Sequence, residues 1–383
     1  MFPDRFTESA SGILIRDPRG HLAFVPNPLP MDMDLVASTI NLLVEAQGVL
    51  GELRGVGRVL PNPQLLIRPF LRQEAVLSSR IEGTTSGLQQ LLVFEADPTS
   101  DDGRSDVHEV ANYVRALDLG FDLLNSMPIC LRLICQVHEM LMSGVRGEDR
   151  RPGEFRQEPV VIGHRSATPE TARFVPPPAM EMRQALNDLE RYIGHYDGQI
   201  PLLIHVALVH YQFEAIHPFM DGNGRMGRLL IALQLREREA LPQPLLYLSG
   251  YFERHQDTYR DLLLRVSTHG DWKAWIDFFL TGILEQAIET LQRSHQLLDL
   301  QAELRAWADS VSHTRSLGAL VDLAFAQPAL SIGDIEGALG ITPPAARTLV
   351  KRMEDAGYLR EVTGRLRNRR YAIPQMLEIL STS

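Results

Sequence analysis

The chain has 383 residues, a formal net charge of −10 and an ordinary apolar content of 44%, enough for two or three domains around a substantial core. The acidic balance argues against nucleic acid as partner of the whole surface. No apolar run reaches membrane-spanning length without charge or proline, and residues 1–30 lack a basic-then-apolar leader, so a cytoplasmic protein with no membrane partner is expected.

In chain order, residues 1–32 contain Pro26-Asn27-Pro28-Leu29-Pro30 and little periodicity, which reads as an extended arm on a larger body. From about Asp34 to Val56 apolar residues recur at helical spacing (Leu35, Ile40, Leu43, Val44, Leu50, Leu53), and Pro61-Asn62-Pro63 breaks the pattern. Gln64 to Glu82 follows. Its last turns, Gln73 to Glu82, predict a helix stopped by Gly83. Ser78 and Glu82, in Ser78-Ser79-Arg80-Ile81-Glu82-Gly83, are four apart and share a helical face. Asp97 to Asp106 is a polar, acidic break. Helical pattern resumes at Val107 (Val110, Tyr113, Val114, Leu117) and again from about Cys130 to Met142. Cys130 and Cys135, the only cysteines, read as buried core thiols. Pro159-Val160-Val161-Ile162-Gly163 is the one convincing β signal in the first 300 residues, and Arg173-Phe174-Val175 offers it a hairpin partner.

Leu202 to Ile216 is apolar and free of Gly and Pro, which predicts a buried helix. His205 and His210 on it are five apart, share no metal-binding face, and read as core histidines. Pro218 ends that helix, because a residue before proline is pushed out of helical dihedrals. His217 therefore stands at a helix end, facing the loop Asp221-Gly222-Asn223-Gly224. A second helix is predicted from Arg225 to Glu239. The glycines permit close backbone approach, and free N–H groups at a helix N-terminus attract phosphate. Arg225 and Arg228 share a face and offer bidentate forks to phosphate oxygens. Asp221 suits Mg²⁺, which takes one or two carboxylates plus phosphates and waters. Gly222-x-Gly224-x-x-Gly227 matches the dinucleotide fingerprint formally, but that fingerprint needs a preceding strand, and a helix is predicted here. No Gly-x-x-x-x-Gly-Lys-Ser/Thr loop occurs.

Farther on, Tyr251 and Tyr259 could wall an adenine, while Trp272, Trp275, Phe278 and Phe279 read as core. A connector helix is predicted from Gly282 to about Trp307. Three helices then follow within 317–356 (Leu317–Phe325, one starting at Ser331-Ile332, and Ala345–Ala356), and two strands flank Gly364. That order resembles a winged helix. Residues 347–370 hold eight Lys/Arg against three acidic residues, a local +5 that fits a DNA backbone. The alternative use of that fold is protein docking or homodimerisation.

The run His217-Pro218-Phe219-Met220-Asp221-Gly222-Asn223-Gly224-Arg225-Met226-Gly227-Arg228 resembles, at every fixed position, the signature His-Pro-Phe-x-Asp/Glu-Gly-Asn-Gly-Arg-x-x-Arg of Fic-domain protein adenylyltransferases. The resemblance implies transfer of AMP from ATP to a hydroxyl side chain of a target protein. His217 would take the proton of the attacking hydroxyl, Asp221 would hold Mg²⁺, Gly222 to Gly224 would form an anion hole, and Arg225 and Arg228 would hold phosphates, Arg228 the γ. Ser78 to Gly83 is similar to the family's inhibitory motif, whose glutamate pairs with the second arginine and displaces the γ-phosphate. Val160 to Gly163 match its flap over the nucleotide, and Tyr251 and Tyr259 fall where it places the base pocket. The expected fold is mainly α: an N-terminal region (1–106) with the inhibitory helix, a Fic core with a small β-hairpin flap (107–290), a connector (291–313) and a winged helix (314–383). Two rival readings stay open. One is a same-fold transferase of another group, or an enzyme removing AMP. The other is a nucleotide-sensing DNA-binding regulator.

Overall fold

The computed structural model describes residues 3–59, 64–96, 106–164, 166–311, 315–327, 329–364 and 369–381. The break at Pro61 to Pro63, nearly all of the acidic break 97–106, and Arg365 and Arg367 of the basic segment lie outside the described residues.

The chain opens with an antiparallel hairpin, β1 (Gly12–Arg16) and β2 (Leu22–Pro26), in the register Ile13 to Val25 and Ile15 to Ala23. This corrects the expectation of an extended arm and of a single β signal. Asp17 builds the turn, its carboxylate accepting from the N–H groups of Arg19 and His21. β2 then lies beside the later flap segment, where Phe24 N–H donates to Val175 O at 2.9 Å.

Helices follow. α1 (Ala37–Val59) and α2 (Gln64–Ile81) lead to α3 (Leu88–Ala96), α4 (Asp106–Leu123) and α5 (Leu131–Met142). Next come α6 (Ala179–Gly194), α7 (Leu202–Ile216), α8 (Asn223–Glu237), α9 (Ser249–Arg254), α10 (Gln256–His269) and α11 (Trp272–Val311). α2 is continuous through Pro69, so the helix carrying Ser78 starts at Gln64, well before Gln73, where periodicity places its helical turns. Among the described residues no helix is long and apolar enough to cross a membrane.

α7 is the centre of the body. Nearly every side chain on it is buried, which explains a sequence with almost no polar face. α8 packs on it, and α11 crosses it, with Trp275 Nε1–H donating to Ala207 O at 3.0 Å. α11 also runs along α1, where Thr39 donates to Asp277 at 2.6 Å. The predicted connector is therefore the far part of one 40-residue helix whose near part lies in the core. Cys130 and Cys135 are free and half-buried, not fully buried, because α5 turns them toward the rim of the core.

The tail forms α12 (Arg315–Ala326), α13 (Ile332–Leu339) and α14 (Pro343–Asp355), then β3 (Arg360–Glu361), β4 (Tyr371–Ala372) and α15 (Pro374–Ser381). A capping box between Ser331 and Asp334 starts α13. β3 pairs with β4, and Leu330 bridges to Tyr371, giving the wing. α15 has no counterpart in the sequence reading. α12 and α15 both pack on α2, and Gln89 of α3 donates to Val362 O at the wing.

Candidate active site

The loop between α7 and α8 is held in an unusual shape. His217 adopts a left-handed conformation (φ 50°, ψ 64°), rare for a residue with a side chain. A buried arginine enforces it. Arg156 donates from Nε to His217 O at 2.8 Å, from Nη2 to Pro177 O at 2.6 Å and Ile216 O at 3.3 Å, and its own N–H donates to Pro218 O. Burial lowers the Arg156 pKa to about 10, which leaves it charged at neutral pH. Asn223 closes the loop on itself, accepting from Phe219 N–H at 2.8 Å and donating to Phe219 O at 2.9 Å.

His138 of α5 supports the loop from below. Its ring stacks on Phe219 with centroids 3.6 Å apart. Gly153 N–H donates to Nδ1, so Nε2 carries the proton and donates to Asp221 O at 2.9 Å. Burial pushes His138 down to about 4, which keeps it neutral in this role. Asp221 accepts from Gly222 N–H through Oδ1 at 2.7 Å, and its Oδ2 faces Gly147.

The His217 imidazole is partly exposed. Nδ1 lies 3.3 Å from Glu214 O, and since a carbonyl can only accept, Nδ1 carries the hydrogen and Nε2 keeps its lone pair. Burial, then the Arg156 charge, lower its pKa to about 4. The imidazole is neutral at pH 7 and able to accept a proton.

The arginines differ in what holds them. Arg228 donates from Nε to Ser78 Oγ at 2.8 Å and from Nη2 to Ser78 O at 3.0 Å and Glu82 Oε1 at 2.7 Å. The predicted Ser78–Glu82 face thus meets Arg228 across 146 to 150 residues of chain. Burial works to raise the Glu82 pKa, but the charge and hydrogen bond of Arg228, with Arg225 and Arg260 behind, hold it below the usual range. The carboxylate lies on the first turn of α8: a Cβ on Gly224 would stand 2.3 Å from Glu82 Oε1. Glu82 is thus an anion seated in the cradle that the glycines leave open. Arg225 is not an open fork. It pairs with Glu109 of α4 at 3.0 Å and contacts Met142 Sδ, while its buried Nε has no partner among the described residues.

α2 is anchored by Glu74, one turn before Ser78, which accepts from Tyr113 at 2.8 Å and from the Ser249 hydroxyl and N–H. At its end, Gln256 and Arg260 of α10 donate to Ile81 O. Glu74, Glu109, His138 and Arg156 escape the sequence reading, because their partners are backbone groups or residues far away in sequence.

The flap is slighter than expected. Val160, Val161 and Gly163 make no strand, and the pairing is a single bridge in which Ile162 and Phe174 exchange backbone bonds at 2.9 and 3.1 Å. Tyr259 is buried in a cluster with Phe252 and Trp275, its hydroxyl bonded to His210 at 2.8 Å. Tyr251 packs on Phe278 and over Gly282. His210 is satisfied, as expected, its Nδ1 lying 3.1 Å from Gly227 O.

Among the described residues no cluster of three His, Cys, Asp or Glu could hold a metal alone. Asp221 beside an anion cradle instead fits a cation that arrives with phosphates, completed by their oxygens and water.

A helical body whose α7–α8 loop carries the Glu82 carboxylate against Gly224, followed by a winged helix, defines the class, and the comparisons agree. Residues 128–235 match the Fic/DOC family, residues 40–122 its N-terminal region, and residues 317–373 an HTH DNA binding domain. Over residues 40–122 and 128–235 the chain is similar to the Fic/DOC family. It is 30% identical over 158 residues to the protein adenylyltransferase Fic of Drosophila ananassae, covering 39% of this chain and 29% of that protein. With the Aedes aegypti protein of the same name identity is 28% over 209 residues, 52% of this chain and 37% of that one. The chain thus spans about a third of the length of these curated relatives. A Fic family protein from Desulfovibrio desulfuricans shares the fold with a TM-score of 0.58 at 22% identity, over 90% of this chain and 98% of that one. Fic-1 from C. elegans gives 0.52 at 19%, over 68% and 74%.

Proposed function

We propose that this protein is an adenylyltransferase that moves AMP from ATP to a Ser, Thr or Tyr hydroxyl of a protein, and that Glu82 restrains it. The observation that carries the reading is the Glu82 carboxylate lying on Gly224 and bound to Arg228, since a phosphate oxygen asks for the same donors. The names of the curated relatives favour AMP as the transferred group.

His217 Nε2 takes the proton of the acceptor hydroxyl as its oxygen attacks the α-phosphorus, and pyrophosphate leaves. The amides of Asn223 and Gly224, joined by that of Gly222 once it leaves Asp221 Oδ1, stabilise charge on the phosphates, and Arg228, once clear of Glu82, holds the γ-phosphate. Arg225, fixed by Glu109, would add its charge to the same region. Asp221 would hold Mg²⁺, which when bound offsets charge on the triphosphate. The backbone edge at Val160 to Gly163 would align the target strand.

The test is the intact mass of the Glu82→Gly protein after incubation with ATP and Mg²⁺. Addition of AMP supports the reading. Addition from another nucleotide and none from ATP overturns the donor, and no addition from any overturns the transfer. Contact with DNA is a second reading, supported by the exposed Arg347, Lys351 and Arg352 on α14.

A further inference from the structure

His217 resists protonation, its pKa held at about 4. Such an imidazole takes a hydroxyl proton more readily if a neighbour offsets the charge it gains. Glu82 and Asp221 act on it from farther off, and one carboxyl lies within 4.0 Å. Glu214, one turn back on α7, places Oε2 4.0 Å from His217 Nδ1. Its Oε1 is buried without a partner among the described residues. That oxygen lies against α8, where a Cβ on Gly227 would stand 2.6 Å from it. The glycine at 227 leaves the space this carboxyl fills.

We infer that Glu214 is a positioning residue for His217: its carboxylate stands behind Nδ1–H and stabilises the imidazolium formed when Nε2 takes the hydroxyl proton. The inference rests on His217 being the base of the proposed transfer. The proton leaves the acceptor oxygen for Nε2, the oxygen–phosphorus bond forms, and the bond to pyrophosphate breaks. Glu214 itself takes no proton from the substrate.

The groups facing Glu214 are His217 and His210 on its own helix, Arg228 from α8, Glu82 from the end of the α2 segment, and Tyr259 from α10. Burial raises the Glu214 carboxyl to about 7, with Arg228 opposing and Glu82 adding to the rise. The helpful, ionised form therefore accumulates above about pH 7. Departure of Glu82 removes a like charge and favours that form. The same departure withdraws a charge that favours protonated His217, which leaves Glu214 as the nearest carboxylate to support it.

The test is ¹⁵N NMR of histidine-labelled protein, with the His217 ring assigned through His217→Ala. In the intact protein the His217 signals should show a step near pH 7 that reports Glu214. The step should vanish in Glu214→Gln and move to lower pH in Glu82→Gly. Gly227→Ala, which displaces the carboxyl without removing it, should also abolish it. In the Glu82→Gly background, Glu214→Gln should slow transfer at least about tenfold at pH 8, with ATP affinity unchanged and the alkaline rise lost. A step that persists in Glu214→Gln, or is absent from the intact protein, overturns the inference. NMR changes as expected without AMP transfer by any form would support the pairing while refuting the adenylyl reading.

Discussion

Replacing Glu82 by glycine removes a competitor without touching any group assigned to the chemistry. In the structure the carboxylate holds Arg228 through one charge-assisted hydrogen bond of 2.7 Å. Such bonds contribute about 1.5–3 kcal/mol. The Glu82 side chain is 34% exposed, which favours the lower end, about 1.5–2 kcal/mol, because water screens the pair. At about 1.4 kcal/mol per factor of ten, transfer should rise roughly 10- to 30-fold. Misplacement of the α-phosphorus, which can cost about 100-fold, would add to the gain. The assay is label transfer from α-labelled ATP to the protein itself, for the intact chain, Glu82→Gly, Arg228→Ala and the double variant. Only Glu82→Gly should gain, since Arg228→Ala deletes the phosphate ligand with the competitor's partner. Equal rates for Glu82→Gly and the intact chain would refute the reasoning and reduce Glu82 to an ordinary ion pair.

His217→Ala should abolish transfer yet leave ATP affinity within about threefold by calorimetry, because the anion cradle and both arginines remain. Arg156→Ala leaves several carbonyls without their donor and should cost about 2–4 kcal/mol in urea unfolding, with slower transfer as His217 leaves its left-handed conformation. Glu214 binds its proton more tightly folded than unfolded, so its contribution to stability is present below the ordinary 4.5 and is lost as pH rises through about 7. Urea midpoints should therefore fall between pH 5 and 8 in the intact chain, and fall less in Glu214→Gln. Arg347→Glu should weaken salt-dependent retention of duplex DNA in gel shifts, and equal retention by both forms would sink the DNA reading.

The signature loop is legible because its parts are contiguous. Histidine, carboxylate, glycines and arginines fall within 217–228, and one turn of chain brings them together. The partnership of Ser78 and Glu82 with Arg228 is legible only through family resemblance, since spacing alone puts two side chains on one face and says nothing of what that face meets. Arg156 and His138 are not legible. They act on backbone oxygens of the loop, and a carbonyl leaves no mark in the sequence. The hairpin β1–β2 does have a signal, Ile13-Leu14-Ile15 before Asp17-Pro18-Arg19-Gly20 and Leu22-Ala23-Phe24-Val25, a turn between two apolar runs. The nearby prolines mask it. Periodicity divides α11 because its composition changes along its length, from aromatic where it crosses α7 to mixed charge beyond.

The seating of α12 and α15 on α2 has a consequence for the whole chain. The helix that ends beside Glu82 is also the floor on which the tail rests, so the Arg228–Glu82 contact and the tail share one helix. On the proposed restraint by Glu82, an occupant of the tail that prefers one seating of α12 and α15 would shift the Glu82–Arg228 equilibrium, and by reciprocity a nucleotide that displaced Glu82 would change the tail's affinity for that occupant by the same factor. An occupant indifferent to the seating shifts nothing, however tightly it binds.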